Sequence, residues 1–183
     1  MSNYFLISDL HFGHEKAVTT FTREGTEERL RNFSHVDEMN EHLIDKWNSV
    51  VGKNDNVLVL GDVVINKKNM HLVHRLKGSK VLVLGNHDMM PLGDYYEWFR
   101  KVQVARDFDG CILTHIPVHE SQLEHRWKAN VHGHLHDKHL LTKHGKRDNR
   151  YYNVSCDCFE LDNHTGMNYT PKSWDTIKKE IGI

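Results

Sequence analysis

The sequence predicts an α/β fold in one domain spanning residues 1–183, and three observations lead to this prediction. Two short apolar runs rich in valine, at residues 57–60 and 81–84, have the composition of parallel strands buried on both faces. Helical spacing separates the strand candidates in the first half of the chain. A length of 183 residues is also that of one domain with a substantial core.

The first half is expected to alternate strands and helices. A strand is predicted at residues 4–8, where a short apolar run ends in polar residues. A helix is predicted over residues 34–50 because its apolar side chains recur at steps of three and four, with Ser34 as the expected N-cap. Another helix is predicted over residues 70–76, where it would connect the two parallel strands and end near Gly78.

The second half is expected to contain mostly strands and turns. A helix is predicted near residues 95–99, and a last helix is predicted after Thr170, with Pro171 at its first position. The predicted strands lie at residues 102–105, 111–114, 129–132 and 151–155.

The composition argues against several classes of protein. The formal charge is -1, from 24 basic and 25 acidic residues, which disfavours a protein that coats long nucleic acid. The N-terminal residues lack the pattern of a signal peptide, and no apolar run reaches the length of a membrane span. Three cysteines without a Cys-x-x-Cys pair favour a reduced, cytoplasmic location.

Five short polar clusters each follow a predicted strand directly. They are SDLHFGH with Asp9 and His11, LGDVV with Asp62, LGNHD with Asn86, His87 and Asp88, LTHIP with His115, and VHGHLHD with His134 and His136. Each cluster alone is typical of a turn or of a histidine at the edge of a core. Because the carboxyl ends of parallel strands gather at one edge of a sheet, the five together predict a common site.

The residue types of this site predict a pair of metal ions. Carboxylate, imidazole and amide ligands suit Mn, Fe, Zn, Ni or Co, with Mn favoured, and the lack of thiolates is unlike a structural zinc site. Seven candidate ligands exceed what one ion takes from protein. Two ions about 3.5–4 Å apart that share one carboxylate would use them all. Asp62, directly after Gly61, is the natural shared ligand because backbone can approach closely there.

The motif order resembles the calcineurin-like metallophosphoesterase superfamily. DLH, GD, GNHD, a lone His and GHLH occur in that order from Asp9 to His136. The spacing is similar to that of short, uncapped members from bacteria and phages. Those members also carry FGH after the first motif, here ending in His14, and NV followed by an acidic residue, here Asn153-Val154 and Asp157.

The resemblance implies a four-layer αββα sandwich of two packed sheets flanked by helices, and it implies a role for each motif residue. One metal would be held by Asp9, His11, Asp62 and His136, and the other by Asp62, Asn86, His115 and His134. His87 would face the substrate phosphate as a catalytic group, and Asp88 would orient its ring.

These features predict a dimetal phosphoesterase that attacks phosphorus with hydroxide from a metal-bridging water. Relatives that dephosphorylate proteins carry Asp-Arg-Gly shortly after this glycine-aspartate pair, where this chain continues Val63-Val64-Ile65-Asn66. Because no arginine is present there to offset the charge of a monoester, a phosphodiesterase acting on a nucleotide or another small phosphate ester is preferred. The alternatives are a phosphomonoesterase, a nuclease acting on strand ends and a catalytically silent protein-interaction scaffold.

Three further segments carry weaker signals. Lys146 and Arg147 lie in a basic segment, residues 137–150, which is expected to be either a solvated hairpin or a positive lip that binds substrate. The charged run at residues 23–31 is expected to be solvated surface. Asp157 is expected to point toward the metal ligands, while the neighbouring Cys156 and Cys158 are buried on the opposite face.

Overall fold

The computed structural model describes residues 2–23 and 25–183, and it contains two mixed sheets with flanking helices. The first sheet consists of β1 (Tyr4–Ile7), β2 (Asn56–Val59), β3 (Ser79–Val83), β4 (Lys101–Gln103) and β9 (Lys172–Ser173). Its order is β4-β3-β2-β1-β9, with β1 to β4 parallel and β9 antiparallel. The apolar runs predicted this parallel arrangement correctly.

The second sheet lies against the first and shares its core. It consists of β5 (Arg106–Phe108), β6 (Cys111–Leu113), β7 (Asn130–His132) and β8 (Tyr151–Asn153), in the order β5-β6-β7-β8. The strands β6 to β8 are parallel, and β5 is antiparallel to β6. One cluster of buried apolar side chains contains residues of both sheets, which confirms the predicted two-sheet α/β sandwich.

The two sheets are joined by hydrogen bonds where β1 and β8 end. The N–H of Ser8 donates to the carbonyl of Val154 at 2.9 Å, and the N–H of Cys156 donates to the carbonyl of Ser8 at 3.0 Å. The carboxyl ends of the parallel strands in both sheets are therefore held beside one another.

The helices of the described residues are α1 (Glu15–Thr19), α2 (Val36–Val50), α3 (His71–His74), α4 (Leu92–Tyr96) and α5 (Trp174–Ile181). As the spacing predicted, α2 buries Met39, Leu43 and Trp47. The indole N–H of Trp47 donates to the carbonyl of Lys77 at 2.9 Å, so the largest side chain of this face is also satisfied. No helix in the described part of the chain is both long and apolar enough to cross a membrane.

Four predicted helix starts are wrong by one to three residues, and two of these helices, α3 and α4, begin at His71 and Leu92 rather than at residues 70 and 95. The N-cap of α2 is His35, whose ring accepts the N–H of Glu38, whereas the predicted cap Ser34 donates its own N–H to the Glu38 carboxylate. The N-cap of α5 is Ser173. Pro171 precedes that helix, because β9 intervenes and pairs with β1.

Besides two 3-10 helices at Lys67–Asn69 and Glu120–Leu123, three short elements were not predicted, and tertiary contacts explain each of these three. The strand β5 has the polar sequence Arg-Asp-Phe and is formed by pairing with β6. The strand β9 has two residues and is formed by pairing with β1. The helix α1 has five residues, of which Ala17 and Val18 are buried. None has enough apolar periodicity to be recognised by sequence pattern.

Candidate metal centre

The predicted ligands come together at the joined strand ends. Each of the five clusters lies directly after β1, β2, β3, β6 or β7. Ligand atoms of Asp9, His11 and His136 form one group within 4.8 Å of one another, and those of Asp9, Asp62 and His115 form a second. Asn86 and His134 join the second group through contacts with His115 described below.

The backbone at these ligands is strained. Left-handed φ angles between 50° and 71° occur at Asp9, His11, Asp62, His134 and His136. For residues other than glycine, such conformations cost about 1–3 kcal/mol each and persist only where the surroundings enforce them. Their concentration in five of the seven predicted ligands marks this edge as a functional site.

Two glycines bring the loops after β2 and β3 into contact. A Cβ at Gly61 would lie 2.6 Å from the backbone of Gly85 and 2.6 Å from Nδ1 of His115. Gly61 also has a φ of 89°. A side chain at this position would separate the loops, so the glycine before Asp62 is required by the close approach that the sequence analysis anticipated.

Asp88 holds the same two loops together through hydrogen bonds. Its carboxylate accepts the N–H groups of Asp62 at 2.8 Å, Val63 at 3.1 Å and Gly85 at 2.8 Å. The expectation that Asp88 orients the ring of His87 is therefore corrected, because both of its oxygens bind backbone amides. Asp88 acts on the site by holding Asp62 in place. Its burial raises the pKa of the carboxyl group.

The pocket has buried polar atoms that no described residue satisfies. They include Oδ1 of Asp9 and both ring nitrogens of His11. The other oxygen of Asp9, Oδ2, accepts hydrogen bonds from the Ser8 hydroxyl, the Ser155 hydroxyl and the His134 N–H. Burying an unpaired carboxylate oxygen beside unpaired imidazole nitrogens is costly unless a cation binds them.

These orphaned atoms have the chemistry that a divalent metal requires. Burial lowers the pKa of His11 well below its ordinary value, so the ring is neutral and can offer a nitrogen lone pair. Its Nε2 lies 3.9 Å from Oδ1 of Asp9 and 3.7 Å from Oδ2 of Asp62. Carboxylate oxygen and neutral imidazole fit Mn, Fe, Zn, Ni and Co, so the residues present could hold such an ion.

Asp62 lies between His11 of the first group and His115 of the second, although Asp9 is the residue that belongs to both groups. Oδ2 of Asp62 is 3.7 Å from Nε2 of His11 on one side and 3.3 Å from Nε2 of His115 on the other. Its Oδ1 accepts the backbone N–H of His87 at 2.9 Å. Burial alone would raise its pKa, but hydrogen bonding and charge from His115 outweigh burial and lower the pKa to about 2. Asp62 is thus ionised, as a ligand must be.

The second group is arranged around His115. Its Nδ1–H donates to the carbonyl of Leu60 at 2.7 Å, which leaves Nε2 facing the pocket, 3.0 Å from Oδ1 of Asn86. The ring of His134 packs edge-on against it, with centroids 5.1 Å apart. Burial opposes the charged form of His115, but Asp62 outweighs it and raises the pKa to about 9.

A buried arginine, Arg31, supports the first group from behind. Its Nε donates to Oδ2 of Asp157 at 2.8 Å, and its two terminal nitrogens donate to the backbone carbonyls of Leu10 and Asp9. Both oxygens of Asp157 lie 3.1–3.2 Å from Nδ1 of His136. A carboxylate behind a ligating histidine fixes its tautomer and directs Nε2 to the metal.

This arrangement corrects one expectation and confirms another. The run at residues 23–31 was expected to be solvated, yet Arg31 is 0% exposed; Glu24 of that run lies outside the described residues. Asp157 does point toward the ligands, and Cys156 and Cys158 are buried as expected. Burial alone would raise the pKa of Asp157, but the charge of Arg31 outweighs burial and holds the pKa well below the usual range.

Arg147 does not form the predicted lip. Its side chain is buried, and its guanidinium donates to the carbonyls of Tyr151 and Glu180 and to the side chain of Asn163. It therefore joins its hairpin to the last helix and cannot contact a substrate in this conformation. Lys146 is exposed, and its predicted role in substrate binding stays a prediction.

A third cluster with metal-binding residue types, made of His139, Cys158 and His164, is satisfied without an ion. The thiol of Cys158 lies 3.5 Å from Nε2 of His139 and 4.0 Å from Nε2 of His164. Nδ1 of His164 accepts the N–H of Gly166, so its Nε2 carries the proton and donates to the carbonyl of Asn153 at 2.7 Å. Nε2 of His139 is likewise 3.0 Å from a backbone carbonyl. Both nitrogens near the thiol thus lack a free lone pair.

The contrast between this cluster and the candidate centre gives a first prediction. Cys158→Ser should leave the metal content unchanged from wild type after dialysis against Mn²⁺, measured by elemental analysis, because His139 and His164 bind backbone groups. A drop of about one ion per chain in this variant would contradict the hydrogen-bond assignment.

A second prediction concerns Arg31. Arg31→Lys should weaken Mn²⁺ binding by about 10- to 100-fold in calorimetric titration, because a lysine cannot bind Asp157 and two carbonyls together. Arg147→Lys is the matched control, since it also truncates a buried guanidinium bound to carbonyls but lies outside the ligand groups. Equal Mn²⁺ affinity of the two folded variants would contradict the supporting role of Arg31.

Comparison with known proteins agrees with the geometry. An uncharacterised protein of Methanocaldococcus jannaschii is 34% identical over 99% of this chain and 92% of its own length. The gene 66 protein of Mycobacterium phage L5 is 31% identical over 79% of this chain and 82% of its own length. The crystal structure of a protein of unknown function from Aquifex aeolicus has a similar fold, with a TM-score of 0.67 over 98% of this chain and 99% of that one, at 18% identity.

The family model for calcineurin-like phosphoesterases matches residues 3–180, which is nearly the whole chain. Together with the ligand groups at the joined strand ends, this match shows that the chain belongs to the calcineurin-like phosphoesterase family.

Proposed function

We propose that this protein is a phosphodiesterase that uses two divalent ions to hydrolyse a nucleotide or another small phosphate ester. The observation that carries the proposal is the set of unpaired buried atoms at Asp9 and His11, with Asp62 between them and His115. A catalytically silent scaffold of this fold would have no need to keep so costly a polar cluster.

The proposed ligands are drawn from both groups and their neighbours. Asp9, His11, Asp62 and His136 would hold one ion, and Asp62, Asn86, His115 and His134 would hold the other, with Mn the favoured metal. When bound, the ions would make hydroxide available from water near neutral pH and offset the charge that develops on the phosphate oxygens. The contribution of the chain is to orient these ligands and to hold them close together.

His87 is proposed as the group that donates a proton to the leaving oxygen. Its side chain is exposed and has no hydrogen-bond partner among the described residues, and its ring lies 5.8 Å from that of His11. Its backbone N–H donates to Asp62, which supports a position for the proposed acid close to a phosphate bound by the proposed shared ligand.

The surroundings of the site favour a diester over a monoester. Arg31 uses its guanidinium on Asp157 and on two backbone carbonyls and is buried, so it is unavailable to a phosphate. A monoester dianion carries one more charge than a diester and usually receives an arginine. Strand ends of a nucleic acid are themselves diesters, so an exonuclease remains the second candidate.

The cysteines support a reducing, cytoplasmic environment for this activity. Cys111, Cys156 and Cys158 are buried and free, and no disulfide joins them in the structure.

The substrate preference gives a third prediction. Protein stripped of metal with a chelator should be inactive, and added Mn²⁺ should restore hydrolysis of bis(p-nitrophenyl) phosphate in preference to p-nitrophenyl phosphate. A preference for the monoester would favour the phosphomonoesterase alternative. Inactivity toward both esters with the metal bound would favour a scaffold.

His87 gives a fourth prediction. His87→Ala should lower kcat by about 10²- to 10⁴-fold, the usual contribution of a general acid, while the metal content is unchanged because this side chain is outside both ligand groups. The diester with the more acidic leaving group should be least affected. Loss of metal in His87→Ala, by elemental analysis, would contradict the assigned role.

A further inference from the structure

A cavity of about 390 Å³ opens directly beside the metal centre. Its lining includes two proposed ligands, His134 and His136, on one side and Phe21 on the other. Asp137 and Lys138 line both this cavity and a neighbouring one of about 380 Å³, which extends to Phe159. Because the two cavities share these residues, we call them together the groove.

Phe21 forms the aromatic wall where this groove meets the centre. Its ring makes edge-on contacts with three imidazoles, at centroid distances of 5.9 Å to His11, 5.3 Å to His14 and 5.4 Å to His136. Its side chain is only partly buried. A planar group attached to a phosphate at the metal centre would therefore lie next to the ring of Phe21.

The far end of the groove is also aromatic. The ring of Phe159 is 41% exposed, and the guanidinium of Arg23 lies 5.9 Å from its centroid. Aromatic rings interleaved with polar groups along a phosphate site are typical of surfaces that stack nucleobases.

On the basis of the proposed function, we infer that Phe21 is the stacking wall of a subsite that binds the nucleoside of a nucleotide diester. A nucleoside fits better than an acyl chain because the groove contains polar groups. Asp137, which is 6% exposed, lines both cavities, and hydrocarbon filling them would remove its remaining contact with solvent. Sugar hydroxyls and base edges can instead donate to it.

The test compares two diesters with the same p-nitrophenyl leaving group, one carrying thymidine through its 5′ oxygen and the other carrying methyl. Wild type should have a higher kcat/KM for the thymidine ester. Phe21→Leu should reduce that preference by roughly 5- to 150-fold, through KM, because leucine keeps apolar volume but removes the stacking face. Phe21→Trp should retain the preference.

Phe108→Leu is the matched control. Phe108 is a partly buried phenylalanine that packs against Tyr4, at the start of β1 and so at the opposite end of that strand from Asp9. This variant should leave the preference between the two esters unchanged.

The outcomes distinguish failure of the proposed subsite from failure of the proposed function. Equal kcat/KM of the two esters with wild type, or an equal fall for both with Phe21→Leu, would overturn the subsite and leave the phosphodiesterase in place. A preference for a long-chain alkyl ester over the thymidine ester would overturn it in favour of a lipid substrate. Hydrolysis of neither ester by the Mn²⁺-loaded protein would overturn the proposed function itself.

Discussion

The geometry of the site depends on the cations and N–H groups that bind the buried carboxylates at the joined strand ends. Asp157 is paired with Arg31, Asp88 accepts three backbone N–H groups, and Asp62 binds His115 and the His87 amide. Asp9 alone is compensated only in part, because one of its oxygens accepts three hydrogen bonds and the other accepts none from the described residues. Among these four carboxylates, the one with an unpaired oxygen thus lies where a cation fits.

The residues of the site fall into a buried framework, which holds the ligands, and an exposed surface, which would face the substrate. Arg31, Asp88 and Asp157 are buried and use their side chains in hydrogen bonds to other protein groups, so they set ligand geometry. His87 is exposed and Phe21 partly so, on the side where a phosphate ester would enter. Changes in the framework should therefore act through metal affinity, whereas changes on the surface should act through turnover and substrate choice.

Sequence pattern was sufficient for the fold class and for the convergence of the ligands. Apolar runs that end in glycine and a polar residue identify strand ends, and parallel topology brings those ends together. Sequence pattern did not predict contacts between residues that are far apart in the chain. Arg31 and Asp157 are 126 positions apart, and an arginine in a charged run gives no sign that it will be buried.

The same limit explains the misassigned roles of Asp88 and Arg147. Asp88 follows His87 in sequence, yet its carboxylate turns toward the amides of Asp62, Val63 and Gly85. Arg147 lies among basic residues but binds carbonyls of a neighbouring strand and of the last helix. From the neighbouring residues in the sequence, Asp88 was predicted to pair with His87 and Arg147 to be exposed. In the folded chain, both side chains instead form hydrogen bonds with backbone groups.

The central claim is that Asp9, Asp62 and the histidines around them hold two ions that share Asp62. Anomalous diffraction from a crystal soaked in Mn²⁺ tests it most directly. The account predicts two peaks that both contact the Asp62 carboxylate, one beside His11 and His136 and the other beside Asn86 and His115. A pocket without peaks, or a single peak that does not touch Asp62, would contradict it.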